Sequence, residues 1–372
     1  MKRLLLVGGG HAHVEVLRRF GRAPLRDVEL VLVSPHRLTP YSGMLPGLVA
    51  GDYEHAAVHI DLERAARFAR ARFLQTLAAG IDTHRRVATL ANGASLEFDL
   101  VSLDVGSTPA TAGVPGAAEH AIGVKPVDRF LQLWDNWCER ARTGTLRRLL
   151  VVGGGAAGVE TILAMHARLA RETGRPDAVA CALATDADQL LPMHPARVQD
   201  LLGRVLARRG IRLHLATPAV RIEPGAMTAA DGSRIAADAI VWTTGAAAPP
   251  WLRGLGVALD AGGFVAVNES LQSISEERVF AAGDCATMIE HPRPRAGVYA
   301  VRQGPPLAAN LRAALEGRPL ARYVPQAHAL AIISTGDGRA VAARAGWAVE
   351  GAWVWRWKDW IDRRFVARYA AL

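Results

Sequence analysis

The chain has 372 residues, half of them apolar, with 36 glycines, few aromatics outside a C-terminal tryptophan cluster, and a formal net charge of +9. That length predicts two or three structural units with large cores, and the abundant glycine and alanine suit tightly packed α/β units better than a sandwich of short strands. The positive excess is mainly arginine spread along the chain, without the basic stripe and interleaved aromatics of a nucleic-acid binder, so it reads as attraction to anionic partners such as dinucleotide phosphates or an acidic membrane surface.

Met1-Lys2-Arg3 followed by Leu4–Val7 resembles the start of a signal peptide, but the apolar run stops at Gly8. It reads instead as a buried first strand, and no run approaches the length of a membrane-spanning helix. The strand enters Gly8-Gly9-Gly10, and the dinucleotide fingerprint G-x-G-x-x-G then asks for glycine at 13, where this chain has His13. In such a turn the first glycine permits the tight bend, the second lets backbone approach a pyrophosphate, and the third lets the helix pack against the strand. His13 therefore leaves the phosphate cradle intact and is expected to push the helix slightly outward. Val14, Val16, Leu17 and Phe20 keep helical spacing up to Gly21, and a second strand follows at Val28–Val33. It ends at Ser34-Pro35, so ribose contact falls to Ser34 or to backbone.

Residues 98–110 form an apolar strand entering the turn Gly106-Ser107. A second copy begins at 148, where "RLLVVGGGAAGVET" carries the complete fingerprint Gly153, Gly155 and Gly158. Its helix runs through Val159, Ile162, Leu163, Met165 and Leu169, and its second strand is expected at Ala178–Leu183. Asp186, after that strand, suits ribose hydroxyls, and no arginine follows to take a 2′-phosphate, which favours NADH and leaves NADPH open. Residues 237–252 repeat the strand-into-turn design at Gly245, and "RVFAAGDCAT" is a strand ending in Gly283-Asp284. A helix is expected at Leu307–Leu315, a β-like segment from about 326, and then an amphipathic tail.

Two glycine turns, each between a strand and a helix, and a later strand ending in Gly-Asp resemble the flavoproteins with two dinucleotide-binding domains, the pyridine nucleotide-disulfide oxidoreductase superfamily. "GGGHAHVEVLRRF", "TPYSGMLPG", "AGVYAVRQGP" and "WKDWIDRRF" are similar to stretches of type II NADH dehydrogenases, and most closely to the flavoproteins joined to or found beside selenide, water dikinase. The resemblance implies an α/β fold with two Rossmann-type domains and a small C-terminal segment. The FAD domain would be discontinuous, at 1–125 and 256–325, with an NAD(P)H domain inserted at 126–255 and the C-terminal segment at 326–372. Gly8, Gly10, His11, Ser34, Ser42, Gly43, Ala78, Gly106, Ser107, Gly283 and Asp284 would surround FAD. Gly153, Gly155, Gly158, Asp186 and Gly245 would take NADH.

Glu160 reads either as an acid favoured by the helix dipole or, by the resemblance, as a proton relay beside flavin and quinone. Gln303 corresponds to one of a glutamine pair beside the quinone, and Arg302 replaces the other, where it could steady an anionic reduced flavin. The implied activity is hydride transfer from NADH to FAD and then to an acceptor, first of all a quinone. The alternatives are a sulfur or selenium compound as substrate, or a slow NADH-sensing flavoprotein.

Cys138, Cys181 and Cys285 are isolated, with no C-x-x-C and no metal-ligand spacing, and an odd count argues against a disulfide framework. Two histidines at 11 and 13 do not make a metal site, and no metal is expected. The reducing cytoplasm is the simplest compartment. In the tail, Trp353, Trp357, Trp360, Ile361 and Phe365 are expected on one helical face, with Arg356, Lys358, Arg363, Arg364 and Arg368 around it. That face either lies on the cytoplasmic membrane surface or packs on the protein's own FAD domain or on a second subunit of a homodimer.

Overall fold

The computed structural model describes all residues, Met1–Leu372. The first sheet has five parallel strands in the order Val279–Ala281, Leu100–Leu103, Lys2–Val7, Val28–Ser34 and Arg72–Gln75. Leu4 lies between Leu30 and Leu100, and Leu4, Leu5 and Leu6 are wholly buried. Continuous apolar strands of this kind belong to a parallel sheet covered on both faces. A second five-stranded parallel sheet has the order Ile122–Gly123, Ala239–Trp242, Arg148–Val152, Ala180–Ala184 and Arg212–His214. Helix α1 (His11–Arg22) follows the first glycine turn, and helix α3 (Ala156–Thr173) follows the second. Helix α2 (Val127–Arg142) leads into the second unit. Each unit also carries a three-stranded antiparallel meander, at 78–97 in the first and 219–236 in the second. The fold is α/β with two Rossmann-type units.

Two expectations need correction. The helix anticipated at Leu307–Leu315 is α4, Gly297–Leu315, and it begins ten residues earlier, running through Pro305 and Pro306. Those prolines cannot donate to the preceding turn, and so read as a boundary. Burial of Ala300, Gln303 and Gly304 ahead of them, and of Leu307, Ala308 and Leu311 beyond, holds the helix together across the gap. α4 packs against α1 at Gly304, where a Cβ would lie 2.7 Å from Glu15 Cβ. The second strands run Val28–Ser34 and Ala180–Ala184, shifted by one or two residues from their expected ends.

The second correction concerns the tail. Three antiparallel strands (Ala331–Ser334, Ala340–Arg344, Trp347–Gly351) lead into α5, Ala352–Ala370. Its buried side chains are Val354, Lys358, Asp362, Phe365, Val366 and Tyr369, whereas Trp353 and Trp360 are 56% and 57% exposed. The tryptophans and Phe365 thus do not share a face. A buried Lys358–Asp362 pair, one turn apart, occupies the line that a reading by polarity assigns to solvent. α5 docks on the first unit: Phe365 stacks on Tyr41 with ring centroids 4.3 Å apart, and the Tyr369 hydroxyl donates to Glu15 at 3.1 Å. The preceding strands place Ile333, Val341, Ala343 and Ala348 in the core of the second unit, so the C-terminal segment straps the two together.

Gly304→Val is expected to lower stability by roughly 1–3 kcal/mol, the usual cost of overpacking a tight contact. Thermal unfolding of the variant beside the wild type checks this, and an unchanged midpoint would show that the two helices separate freely.

Candidate active site

The first glycine turn lies at the C-terminal edge of its sheet, where open α/β folds bind ligands. Gly8 has φ +98° and a Cβ there would sit 2.3 Å from the Asp104 carbonyl oxygen. At Gly10, a Cβ would meet the Asp104 carboxylate at 2.2 Å. That carboxylate accepts from the Ala12 and His13 amides at 2.9 and 3.1 Å, capping the positive end of α1. Burial nevertheless pushes the Asp104 carboxyl up to about 7, with the two amide bonds working against it.

His13, where a glycine was anticipated, is wholly buried. Its Nδ1 lies 2.7 Å from the Gly8 carbonyl oxygen and its Nε2 lies 2.9 Å from Ser102 Oγ. Burial lowers its pKa to about 4, so the ring is neutral and serves as a brace between the turn and the neighbouring strand. His11 differs. Its Nε2 is buried without a partner, its ring meets Tyr41 edge-on at 5.4 Å, and burial followed by the Lys125 charge lowers its pKa to about 4. An orphaned neutral imidazole beside a glycine turn fits a phosphate or hydroxyl of a bound dinucleotide.

Several other expected residues gather at this edge. Gly106, φ +71°, follows the strand Leu100–Leu103, with open space where its side chain would be. Ser107 Oγ donates to Asp284 at 3.4 Å, and Lys125 Nζ donates to the same carboxylate at 2.7 Å. Gly283, φ +68°, donates its amide to Gln303 Oε1 at 2.7 Å, so the buried Gln303 side chain is committed in part to holding that turn. Ser42 and Gly43 form a 3₁₀ turn; a Cβ at Gly297 would reach Ser42 Oγ at 2.5 Å. Ser34 ends its strand, with its hydroxyl donated to the His36 carbonyl at 3.0 Å. Ala78 is half-buried at the start of the meander, packed against the core of the first unit. Arg302 is exposed on α4, and its side chain makes no hydrogen bond or ion pair.

The second cradle is more open. Gly153 has φ +124°, and a Cβ on Gly158 would sit 1.9 Å from the Gly153 carbonyl, so only glycine fits that helix–turn contact. Gly155 faces empty space, and no side chain caps α3. Uncapped first-turn amides beside an open cradle form an anion site. Asp186 is exposed just beyond the strand Ala180–Ala184, and Gly245 follows the strand Ala239–Trp242.

Glu160, one turn into α3, accepts from the Ser334 amide at 2.7 Å. Burial pushes its carboxyl up to about 7, opposed chiefly by the Lys358 charge. Lys358 Nζ donates to Asp362 at 2.6 Å and to the Gly43 carbonyl. Asp104, Lys125, Lys358 and Asp362 were not anticipated as site residues. An aspartate interrupting an apolar strand end, "SLDVGS", was the visible signal for the first. The three cysteines are free and buried, and burial pushes each thiol up to about 12. No thiolate is available at neutral pH.

Two glycine cradles on two parallel sheets define a protein with two dinucleotide-binding units. The family described as pyridine nucleotide-disulphide oxidoreductase matches residues 2–304, and the chain belongs to it. It is 29% identical over 216 residues to an NADH dehydrogenase-like protein of Mycobacterium tuberculosis, a match covering 55% of this chain and 53% of the relative. The chain thus spans about half the length of that relative. To a type II NADH:quinone oxidoreductase of Staphylococcus aureus it is 23% identical over 337 residues, covering 85% of this chain and 83% of the other. In fold it is similar to the sulfide:quinone oxidoreductase of Aquifex aeolicus, with TM-score 0.84 and 18% identity over 99% of this chain and 91% of that one.

A carboxyl whose pKa rises on folding destabilises the folded state as pH climbs from the unfolded value through the folded one. For Glu160 that window is about 4.5 to 7. The stability of Glu160→Gln relative to wild type is therefore expected to improve between pH 5 and pH 8. Urea unfolding at the two pH values reads the difference, and a constant offset would contradict the raised pKa.

Proposed function

We propose that the chain is an FAD-dependent NADH dehydrogenase that delivers electrons to a quinone. The observation that carries this reading is the pair of cradles, one braced and one open, with the Glu160–Lys358–Asp362 group strapped between their units. FAD held at Gly8–Gly10, His11, Gly106-Ser107 and Asp284 would supply the hydride-accepting and electron-passing chemistry. The protein's own work is orientation and charge. His11 Nε2 offers the first cradle a polar contact, and Lys125 balances Asp284. The open second cradle takes the visiting NADH diphosphate on the amides of α3, with Asp186 placed for a ribose.

Glu160 is suited to hold and deliver the proton that quinone reduction requires, because its carboxyl titrates near neutrality. The Lys358 ammonium tempers the cost of its ionised form. The unavailability of the thiols argues against dithiol chemistry and against a cysteine-based sulfur reaction. The names of the relatives from Mycobacterium tuberculosis and Staphylococcus aureus support the same reading.

The tail adds a place. No helix is long and apolar enough to cross a membrane. Trp347, Trp353 and Trp360 are nevertheless exposed, and the Arg364 guanidinium lies 5.3 Å from the Trp360 ring centroid. Tryptophan with arginine on one outer surface suits the lipid headgroup region, which would bring a membrane-dissolved quinone to the protein.

Gly155→Val keeps an allowed backbone, φ −74°, and fills the open cradle. It is expected to raise the KM for NADH by roughly tenfold or more while leaving flavin content unchanged; an unchanged KM would remove the second cradle from the mechanism. Glu160→Gln is expected to be reduced anaerobically by NADH nearly as fast as wild type, but to lose about 10²-fold in quinone turnover. Equal turnover with quinone at pH 6 and pH 8 in both forms would refute the proton role. Trp353→Ser with Trp360→Ser should reduce co-sedimentation with anionic liposomes without lowering turnover of a water-soluble quinone, and equal recovery would place that surface elsewhere.

A further inference from the structure

Beside the strand that leads into the Tyr41–Gly43 turn, where His59 pairs with Pro40, the side chains of His55, His59 and Asp128 each bring one ligand-capable atom within 4.8 Å of the other two. His55 and His59 lie one helical turn apart, their rings stacked at 3.8 Å. His59 is only 8% exposed. Its Nδ1 donates to the His55 carbonyl at 2.6 Å, which fixes the tautomer and leaves the lone pair on Nε2. That Nε2 is buried and has no partner. His36 Nδ1 lies 3.3 Å from Asp128 Oδ2, so a third imidazole stands at the edge of the cluster.

An imidazole with its donor nitrogen tied to a backbone carbonyl and its acceptor nitrogen idle is the arrangement of a metal-binding histidine. We infer that His55, His59 and Asp128, with His36 as fourth ligand, bind a divalent transition-metal ion of the zinc class. Nitrogen and carboxylate donors in this ratio suit zinc, cobalt or nickel rather than calcium or magnesium. Tetrahedral ligands at ordinary zinc distances stand ~3.3 Å apart, so the cluster must close by at most about 1.5 Å. His55, Asp128 and His36 are exposed and free to rotate onto the fixed His59 nitrogen.

The location gives the site a role. His36, His55 and His59 belong to the first unit: His59 pairs with Pro40 in the short antiparallel contact of Leu38–Pro40 with His59–Asp61, and His36 and His55 precede its two strands. Asp128 opens α2, at the entrance to the second unit. A bound ion would pin that entrance to the loop that carries Ser42 and Gly43, and so fix how the two cradles face one another. The inference departs from the expectation that no metal is bound. That expectation rested on spacing along the chain, whereas Asp128 reaches the H-x-x-x-H pair only in the folded molecule.

Purified full-length protein with its flavin retained, stripped of metal by a chelator, is titrated with Co²⁺. Binding of one ion per chain should give visible ligand-field bands of a four-coordinate centre, displaced by Zn²⁺. The bands are followed as a difference spectrum against the flavin. His55→Gln and Asp128→Asn, both at exposed positions, should each weaken Co²⁺ binding by roughly tenfold or more, while His84→Gln should leave it unchanged. Zn²⁺ should also raise the thermal midpoint of wild type by more than that of Asp128→Asn. Absence of ligand-field bands, or binding that survives both ligand substitutions, overturns the inference.

Discussion

The arrangement depends on a single buried cation. The Lys358 ammonium rises from the C-terminal helix, donates to Asp362 one turn along and to the carbonyl of Gly43, and exerts its charge on Glu160 of the second unit. Three segments that are remote along the chain therefore answer to one positive charge. A buried ion persists only when its hydrogen-bonding capacity is met. Here the main chain of the first unit and the carboxylate of Asp362 meet it, with Tyr41 stacked nearby on Phe365. The same docking fixes where Ser334 presents its amide to Glu160. The tail is thus part of the site, and the electrostatics of Glu160 cannot be separated from its attachment.

The parts of this site that were legible in the sequence are those whose requirements are local. A positive φ at Gly8 and Gly153, and the absence of room for a Cβ at Gly158, are conditions on single residues, and glycine spacing reports them directly. His13 was opaque because its second partner, Ser102, lies 89 residues away on a neighbouring strand. The start of α4 was hidden behind two prolines that the packing of the helix overrides. In the tail, a polarity pattern turned the helix the wrong way, because Lys358 and Asp362 satisfy each other inside the protein. The charged half of the site was illegible for the same reason: Lys125 meets Asp284, and Lys358 acts on Glu160, only through long-range folding.

Two sequence stretches that looked like separate signatures turn out to be partners. Glu15, within "GGGHAHVEVLRRF", is held by Arg18 in a two-point bond and by Arg19, each at 2.7 Å, and it also receives the Tyr369 hydroxyl. Burial alone would raise its carboxyl, but these donors outweigh burial and hold it below the ordinary range. Phe365, within "WKDWIDRRF", faces both His11 and Tyr41. The residues around the first cradle are therefore matched to the helix that covers them. The two cradles are also unlike: Asp104 caps the helix of the first and the tail packs beside it, whereas the second opens to solvent at Gly155, an asymmetry that accords with the proposed division between resident FAD and visiting NADH.

The route of the chain through its first sheet has a consequence for how the molecule is made. The strand Val279–Ala281 pairs with Leu100–Leu103 and becomes the edge of that sheet, yet the whole second unit is translated between them. At ordinary elongation rates of about 5–20 residues per second, the interval is roughly ten to thirty-five seconds. Throughout it, the flank of the outer unit at Val101 and Leu103 lacks its cover, and the inner unit still awaits Ile333, Val341, Ala343 and Ala348 from the C-terminal segment. That unpaired edge is an adhesive surface for other emerging chains. An early portion whose edge waits this long for its partner is the stage of synthesis most exposed to misassociation.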